Sequence, residues 1–267
     1  MTQVIFILLG IAIILMLYGL LEANTLRAKS YVVKHTSPAM KGQKIVVFSD
    51  VHLGGWTGLS QLKRCKDKIN REKPDYILFA GDFADKFRTD YSAYTEPAAK
   101  LLRQMKATYG KYAVYGNNDR HMEAAHKFSK NVLLSGGFNI LKNNCVRLAD
   151  GVVLLGICDC KYDTPDIEKA LADCPPHSYK IALVHQPDYV SEVSKHHVRM
   201  QVSGHSHGGQ VRLPLLTHFM LPTGAKKYIH GQYKVNHTKL FISNGVGVHT
   251  LPFRFCAPPD ILVFKFE

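Results

Sequence analysis

Hydrophobic and polar positions divide the chain in two. Residues 4–21 form an almost unbroken apolar run of about 18 residues, which at 1.5 Å per residue spans about 27 Å, close to a bilayer's hydrocarbon thickness. Beyond it, apolar residues come in short bursts. Lys44-Ile45-Val46-Val47-Phe48-Ser49, Tyr76-Ile77-Leu78-Phe79-Ala80, Tyr112-Ala113-Val114-Tyr115 and Ile181-Ala182-Leu183-Val184 are too short for helices and read as buried strands. Residues 198–202 are also strand-like, and residues 146–157 hold one or two strands more. Residues 59–71, 94–105, 121–134 and 167–171 repeat at helical spacing. Residues 228–266 read as strands broken by glycines and prolines. Strand, loop and helix in alternation predict an α/β fold. In such folds ligands gather at the carboxyl ends of strands.

The first apolar run has two readings. A cleaved signal peptide needs a basic start, an apolar stretch of about 7–15 residues and a small-x-small cleavage site. Here no Lys or Arg precedes the run, the run is longer, and Leu21-Glu22-Ala23 is a poor site. The pattern therefore predicts an anchor over residues 1–24, a tether over 25–43 and a folded domain over 44–267. Tyr31-Val32-Val33 gives only a weak strand signal, since Lys34 cuts the run short. Arg27, Lys29, Lys34, Lys41 and Lys44 all follow the span, so the positive-inside rule places the domain in the cytoplasm, behind a single-pass anchor in the cell membrane.

Charge and histidine content change the picture further. A net charge of +13 over 267 residues points to an acidic partner: a phosphorylated substrate, nucleic acid or an anionic membrane surface. The basic stretches lack the interleaved aromatics of single-strand binders, which ranks nucleic acid lower. Six scattered cysteines without a C-x-x-C pair fit reduced thiols. Fourteen histidines matter only through their positions.

Those positions are informative. Asp50-x-His52, Gly81-Asp82, Gly116-Asn117, His185 and Gly204-His205-Ser206-His207 each follow a predicted strand. Two carboxylates, one amide and four imidazoles exceed what a tetrahedral ion takes. They suit two divalent ions side by side. The mixed oxygen and nitrogen donors favour Mn, Fe or Zn over Ca²⁺, with Mn first. Such a pair can clamp a phosphoryl group and acidify a water between them.

In this combination the chain resembles the calcineurin-like metallophosphoesterases, whose motifs stand here as SDVHLG, GDFAD, GNNDR, LVHQP and GHSHGGQ. The resemblance implies a four-layer α/β/β/α sandwich. It also implies one metal on Asp50, His52, Asp82 and His207, a second on Asp82, Asn117, His185 and His205, and attack by a metal-activated hydroxide. The C-terminal stretches KKYIHGQY and ISNGVGVHTLPFRF look like a membrane-associated subgroup that includes phosphodiesterases of lipid-linked substrates. One position departs from the family pattern. The histidine that usually follows the asparagine ligand, and serves the leaving oxygen, is Asn118 here. A missing general acid costs about 10²–10⁴-fold, or roughly 3–5 kcal/mol. Either the leaving group needs little protonation, as in a pyrophosphate link, or His121 reaches back, or the enzyme is slow. The first reading is favoured, because the resembling UDP-2,3-diacylglucosamine pyrophosphatases show a similar loss.

Other residues carry two readings each. Asp85 either orients a metal ligand or serves as a loop carboxylate. Arg120 either pairs with a substrate phosphate or forms a surface salt bridge. His196, His197, His218, His230, His237 and His249 read as solvated, although the loop ending in His249 could face the site. The apolar segment 213–222 is either core or a membrane-dipping wall for acyl chains. The expected function is a membrane-anchored, two-metal phosphoesterase acting on a phosphodiester or pyrophosphate bond of a lipid-linked substrate. The alternatives are a nucleotide or nucleic-acid phosphodiesterase and a non-catalytic scaffold that keeps the fold.

Overall fold

In the computed structural model, residues 1–34, 37–213 and 217–267 are described. Helix α1 (Thr2–Ala23) stands out from the rest of the molecule, with only Gly19, Glu22 and Ala23 buried. At 1.5 Å per residue its 22 residues reach about 33 Å, enough to cross a bilayer. The remaining chain folds as β1 (Arg27–Val33), β2 (Lys44–Phe48), α2 (Leu59–Glu72), β3 (Tyr76–Phe79), α3 (Ser92–Arg103), β4 (Gly110–Ala113), α4 (Asn117–Arg120), α5 (Glu123–Ser135) and β5 (Asn139–Ile140). The second half continues with β6 (Asn144–Ala149), β7 (Val152–Gly156), α6 (Ile167–Leu171), β8 (Tyr179–Leu183), α7 (Val190–Val193), β9 (Met200–Ser203) and α8 (Thr217–Met220). It closes with β10 (Gly231–Val235), β11 (Thr238–Ile242) and β12 (Asp260–Phe266).

The strands build two six-stranded sheets, in the orders β1-β12-β2-β3-β4-β5 and β10-β11-β9-β8-β7-β6. The continuous apolar runs are buried on both faces, as parallel strands flanked by helices require. In β2, Val46 and Phe48 pack under the helices, while Ile45 and Val47 face the other sheet. In β3, Ile77 and Phe79 do the first and Tyr76 and Leu78 the second. The inter-sheet core joins them to Leu154, Ile181, Leu183, Val202 and Phe264. Helices α2, α3 and α5 cover one sheet through Leu62, Leu102 and Val132, and α6 and α7 cover the other through Ala170 and Val193. The result is an α/β/β/α sandwich.

Two expectations shift. Residues 27–33, inside the expected tether, form a full strand paired in parallel with β12 from Arg27↔Asp260 to Val33↔Phe266. The sequence signal is weak because the strand alternates charge with apolar residues, and because its partner lies at the far end of the chain. Strand β4 starts two residues earlier than predicted and ends at Ala113, so Val114 and Tyr115 already lead into the loop that carries Asn117. Of the apolar segment 213–222, residues 214–216 lie outside the described residues.

Candidate metal centre

All five predicted clusters converge at the carboxyl ends of β2, β3, β4, β8 and β9. Asp50, His52 and His207 form one group of donors within 4.8 Å of one another, and Asp82, His185 and His205 form another. Asp82 stands between the two groups, with Oδ2 3.7 Å from His52 Nε2 and 3.3 Å from His185 Nε2. His52 Nε2 and His207 Nε2 face each other at 3.0 Å, and His207 Nε2 lies 3.6 Å from Asp50 Oδ1. Asp50, His52, Asp82, His205 and His207 all have positive φ, between 47° and 68°. That region is sparsely populated by residues other than glycine and costs of order 1–3 kcal/mol each. Such strain concentrated on five donors marks a functional loop cluster. The glycines before them leave the room needed. A Cβ on Gly204 would run into the Asp50 carboxylate, and one on Gly116 into that of Asp82.

The donor set fits a pair of divalent ions. His185 Nδ1 lies 2.7 Å from the Ala80 carbonyl, which fixes the proton there and turns the Nε2 lone pair toward the Asp82 carboxylate. Nε2 is buried without another partner, so two acceptors meet across 3.3 Å and require a positive charge between them. Burial disfavours charge on this ring, but the Asp82 and Asp50 carboxylates outweigh it and raise its pKa to about 10. A divalent ion supplies the same charge. Asn117 Oδ1 is likewise buried and unpartnered. Burial holds His52 and His205 at about 3, so both imidazoles are neutral ligands at neutral pH. Burial also pushes Asp50 up to about 7, with His185 opposing it.

The remaining predicted residues divide. Asn118 is buried, and its amide donates to Asp82 Oδ2 at 2.5 Å, while its backbone N–H donates to Oδ1 at 2.7 Å. His121 is on the cavity wall, with Nδ1 3.0 Å from the Tyr162 hydroxyl. Arg120 is turned elsewhere: its guanidinium pairs with Asp163 at 2.7 Å and meets His126 at 2.9 Å, the salt-bridge reading. Asp85 takes the loop-carboxylate reading, since its approach to His52 is too long for a hydrogen bond. Oδ2 lies 4.0 Å from His52 Nδ1, and Oδ1 accepts from the Phe87 backbone.

Three further residues frame the centre, and the sequence pattern assigns no role to two of them, Arg254 and Gln210. Arg254 is completely buried and donates to the carbonyls of His207, Asn244, Gly247 and Ala257. Gln210 donates to the carbonyls of His249, Leu251 and Phe253 and accepts from the His249 N–H. Together they lock the C-terminal loop onto the His207 loop. His249 stands on the cavity wall with its ring 5.0 Å from that of His52. The visible hints are a charge between two aromatics in Phe253-Arg254-Phe255 and an amide directly after the metal loop.

A family model for the calcineurin-like phosphoesterases matches residues 43–209, well over half of the chain. The chain belongs to the calcineurin-like phosphoesterase family. It is a metal-dependent hydrolase, and the family works with two metal ions. This metallophosphoesterase is 34% identical to the uncharacterised metallophosphoesterase YkuE of Bacillus subtilis, over 93% of this chain and 86% of that one. It is 29% identical to a "transmembrane protein with metallophosphoesterase domain" of Danio rerio, over 86% of this chain but only 54% of the longer relative. A solved structure 10% identical to it overlaps with a TM-score of 0.52 over 76% of this chain and 91% of that one, a likeness in fold alone.

Proposed function

We propose that the chain is a membrane-anchored phosphoesterase that hydrolyses a phosphodiester or pyrophosphate bond in a lipid-linked substrate. The observation that carries this reading is the cavity over the two donor groups. Its volume is about 630 Å³. His52, Asp82, Asn117, His205 and His207 form its floor, and Phe87, Met220 and Pro222 form apolar wall above. Lys86 and Lys161 also line it, and neither has a carboxylate partner among the described residues. A floor of metal donors, free cations and an apolar upper wall suit a phosphate group joined to an apolar body.

Asp50, His52, Asp82 and His207 would hold one ion, and Asp82, Asn117, His185 and His205 the other, with Mn²⁺ the first candidate. Bound there, two such ions acidify a water at neutral pH and neutralise charge on the phosphate oxygens. The chain's own residues do the rest. Lys86 and Lys161 draw in the anionic substrate. Asn118 holds the Asp82 carboxylate in place from above. No histidine stands at position 118 to protonate a departing oxygen, which favours a leaving group that needs little help. Helix α1 and the relatives named as transmembrane proteins support the anchor, and the basic residues after the span support a cytoplasmic domain.

The test is turnover on a panel of nucleotide-linked lipids, lipid pyrophosphates, nucleotides and aryl phosphodiesters, with Asp82→Ala as the blank. The expected result is turnover of the lipid-linked members and none by the blank. Turnover of nucleotides alone would make the protein a nucleotide phosphodiesterase. Two bound ions with no turnover of any phosphoester would make it a scaffold.

A further inference from the structure

Outside α1, ten large apolar side chains stand exposed among the described residues, and four of them, Trp56, Phe87, Tyr162 and Met220, line the cavity or the shallow pocket beside it. Trp56 is 66% exposed, Phe87 70%, Phe219 85% and Met220 46%. Phe87 and Met220 line the mouth of the cavity, and Trp56 and Phe87 share the shallow pocket beside it with Thr250. Trp56 also donates its indole N–H to the Thr250 carbonyl at 3.2 Å. Thr250 lines the cavity as well, so Trp56, Thr250 and Phe87 form one continuous stretch of its rim.

The same rim adjoins α1. Trp56 borders a groove shared with Ala23 and Asn24, at the helix end. The loop that follows Thr250 climbs further: the Arg254 N–H donates to the Gly19 carbonyl at 3.1 Å, and Phe255 packs edge-on against Tyr18 at 5.4 Å. Those contacts lie four to five residues inside the helix, or about 6–8 Å along its axis. The Phe255 carbonyl in turn accepts from the Arg212 N–H at 2.8 Å. The exposed rim thus hangs from the stretch of helix where an apolar span meets the headgroups.

We infer that this rim is a membrane-docking surface: Trp56, Phe87, Phe219 and Met220 enter the interfacial layer, and the cavity opens onto the lipid headgroups. Aromatic residues with one polar edge favour that layer, and apolar faces settle about 5–10 Å into it. The flanking cations fit as well, since Lys86 sits 4.8 Å over the Phe87 ring and can face anionic headgroups. A protein partner on this rim would have to share the level that the helix gives to lipid. The inference rests on the anchor reading, not on the reaction.

Trp56 is the chain's single tryptophan, so its emission reports this surface alone. The full chain is reconstituted into phosphatidylcholine vesicles containing phosphatidylglycerol, and flotation verifies insertion. Trp56 emission should shift to the blue and lose on the order of half its intensity to lipids brominated near the headgroup end of the chain. A second probe is Phe219→Trp in a Trp56→Phe background, which should behave alike. The control is Tyr109→Trp in that background, since Tyr109 is 61% exposed and precedes β4, at the opposite strand ends from the site. It should stay unquenched. Floating chain whose Trp56 and Phe219→Trp probes remain open to aqueous acrylamide, or are quenched no more than the control, overturns the docking surface and leaves the anchor standing. Chain that does not float overturns both.

Discussion

Asn118 grips the Asp82 carboxylate from two sides, through its backbone N–H and its side-chain amide. It orients that carboxylate, but an amide has no proton to give a departing alkoxide. Asn118→His should therefore speed hydrolysis of aryl phosphodiesters by a factor that grows as the leaving group worsens, within the range of about 10²–10⁴ set by general acids. A gain equal for all leaving groups would contradict this. His185 leads to a second prediction. With its pKa raised to about 10 it carries a proton at neutral pH, and an ion must displace that proton. Ion binding should release about one proton from His185 and a further fraction from Asp50, whose carboxyl titrates at about 7. His52 and His205, both held at about 3, contribute none. Affinity at the His185 site should thus climb about tenfold per pH unit until pH approaches 10. Titration calorimetry in buffers of different ionisation enthalpy checks the proton count. The raised pKa also makes His185 a stabilising cation without the ion. That stability is complete below the unfolded value of about 6.5 and disappears as pH rises through about 10.

At the scale of elements, the donor residues were legible because the chemistry demands particular side chains at the ends of apolar runs. Asp50, Asp82, Asn117, His185 and His205 each follow a strand that periodicity alone locates. What holds those loops was not legible. Arg254 and Gln210 act on backbone carbonyls, which have no sequence signature, and their targets come together only through the tertiary fold. Strand β1 hid for a related reason: Asp260 pairs with Lys29 at 2.6 Å, and the charge that serves this contact breaks the apolar pattern. Arg120 shows the converse, since its place beside the metal motif suggests substrate while Asp163, forty-three residues on, takes its charge. These contacts lead to a stability prediction. Gln210→Ala leaves three carbonyls and one N–H of the 249–253 loop without their partner, at a cost of about 1–3 kcal/mol. Thermal denaturation should show a Tm lower by about 2–4 °C per kcal/mol. Gln210→Glu keeps the acceptor for the His249 N–H but turns a second acceptor oxygen onto three carbonyls, so it should lower the Tm at least as far. An unchanged Tm in Gln210→Ala would mean that the loop is held without it.

For the whole molecule, the excess of thirteen positive charges acts at long range, whereas Lys86 and Lys161 act at the cavity itself. The two contributions separate by salt. At low ionic strength the summed field draws an anionic phosphodiester toward the mouth and raises the encounter rate. Near 0.1 M the screening length is about 10 Å, so charges on the far side of the sandwich cease to matter while groups beside the bound phosphate still do. Raising ionic strength should therefore lower kcat/KM for a soluble phosphodiester by on the order of tenfold while kcat stays constant, because steering changes encounter and not the chemical step. Lys86→Ala and Lys161→Ala should each lower kcat/KM at high salt as well as low, since each removes a cation that lines the cavity. A reversal of a distant surface charge, such as Lys234→Glu on β10, should lower it only at low salt. If all three substitutions vanish equally in salt, the cavity lysines belong to the general field, and substrate recognition rests on the metal donors and the apolar wall alone.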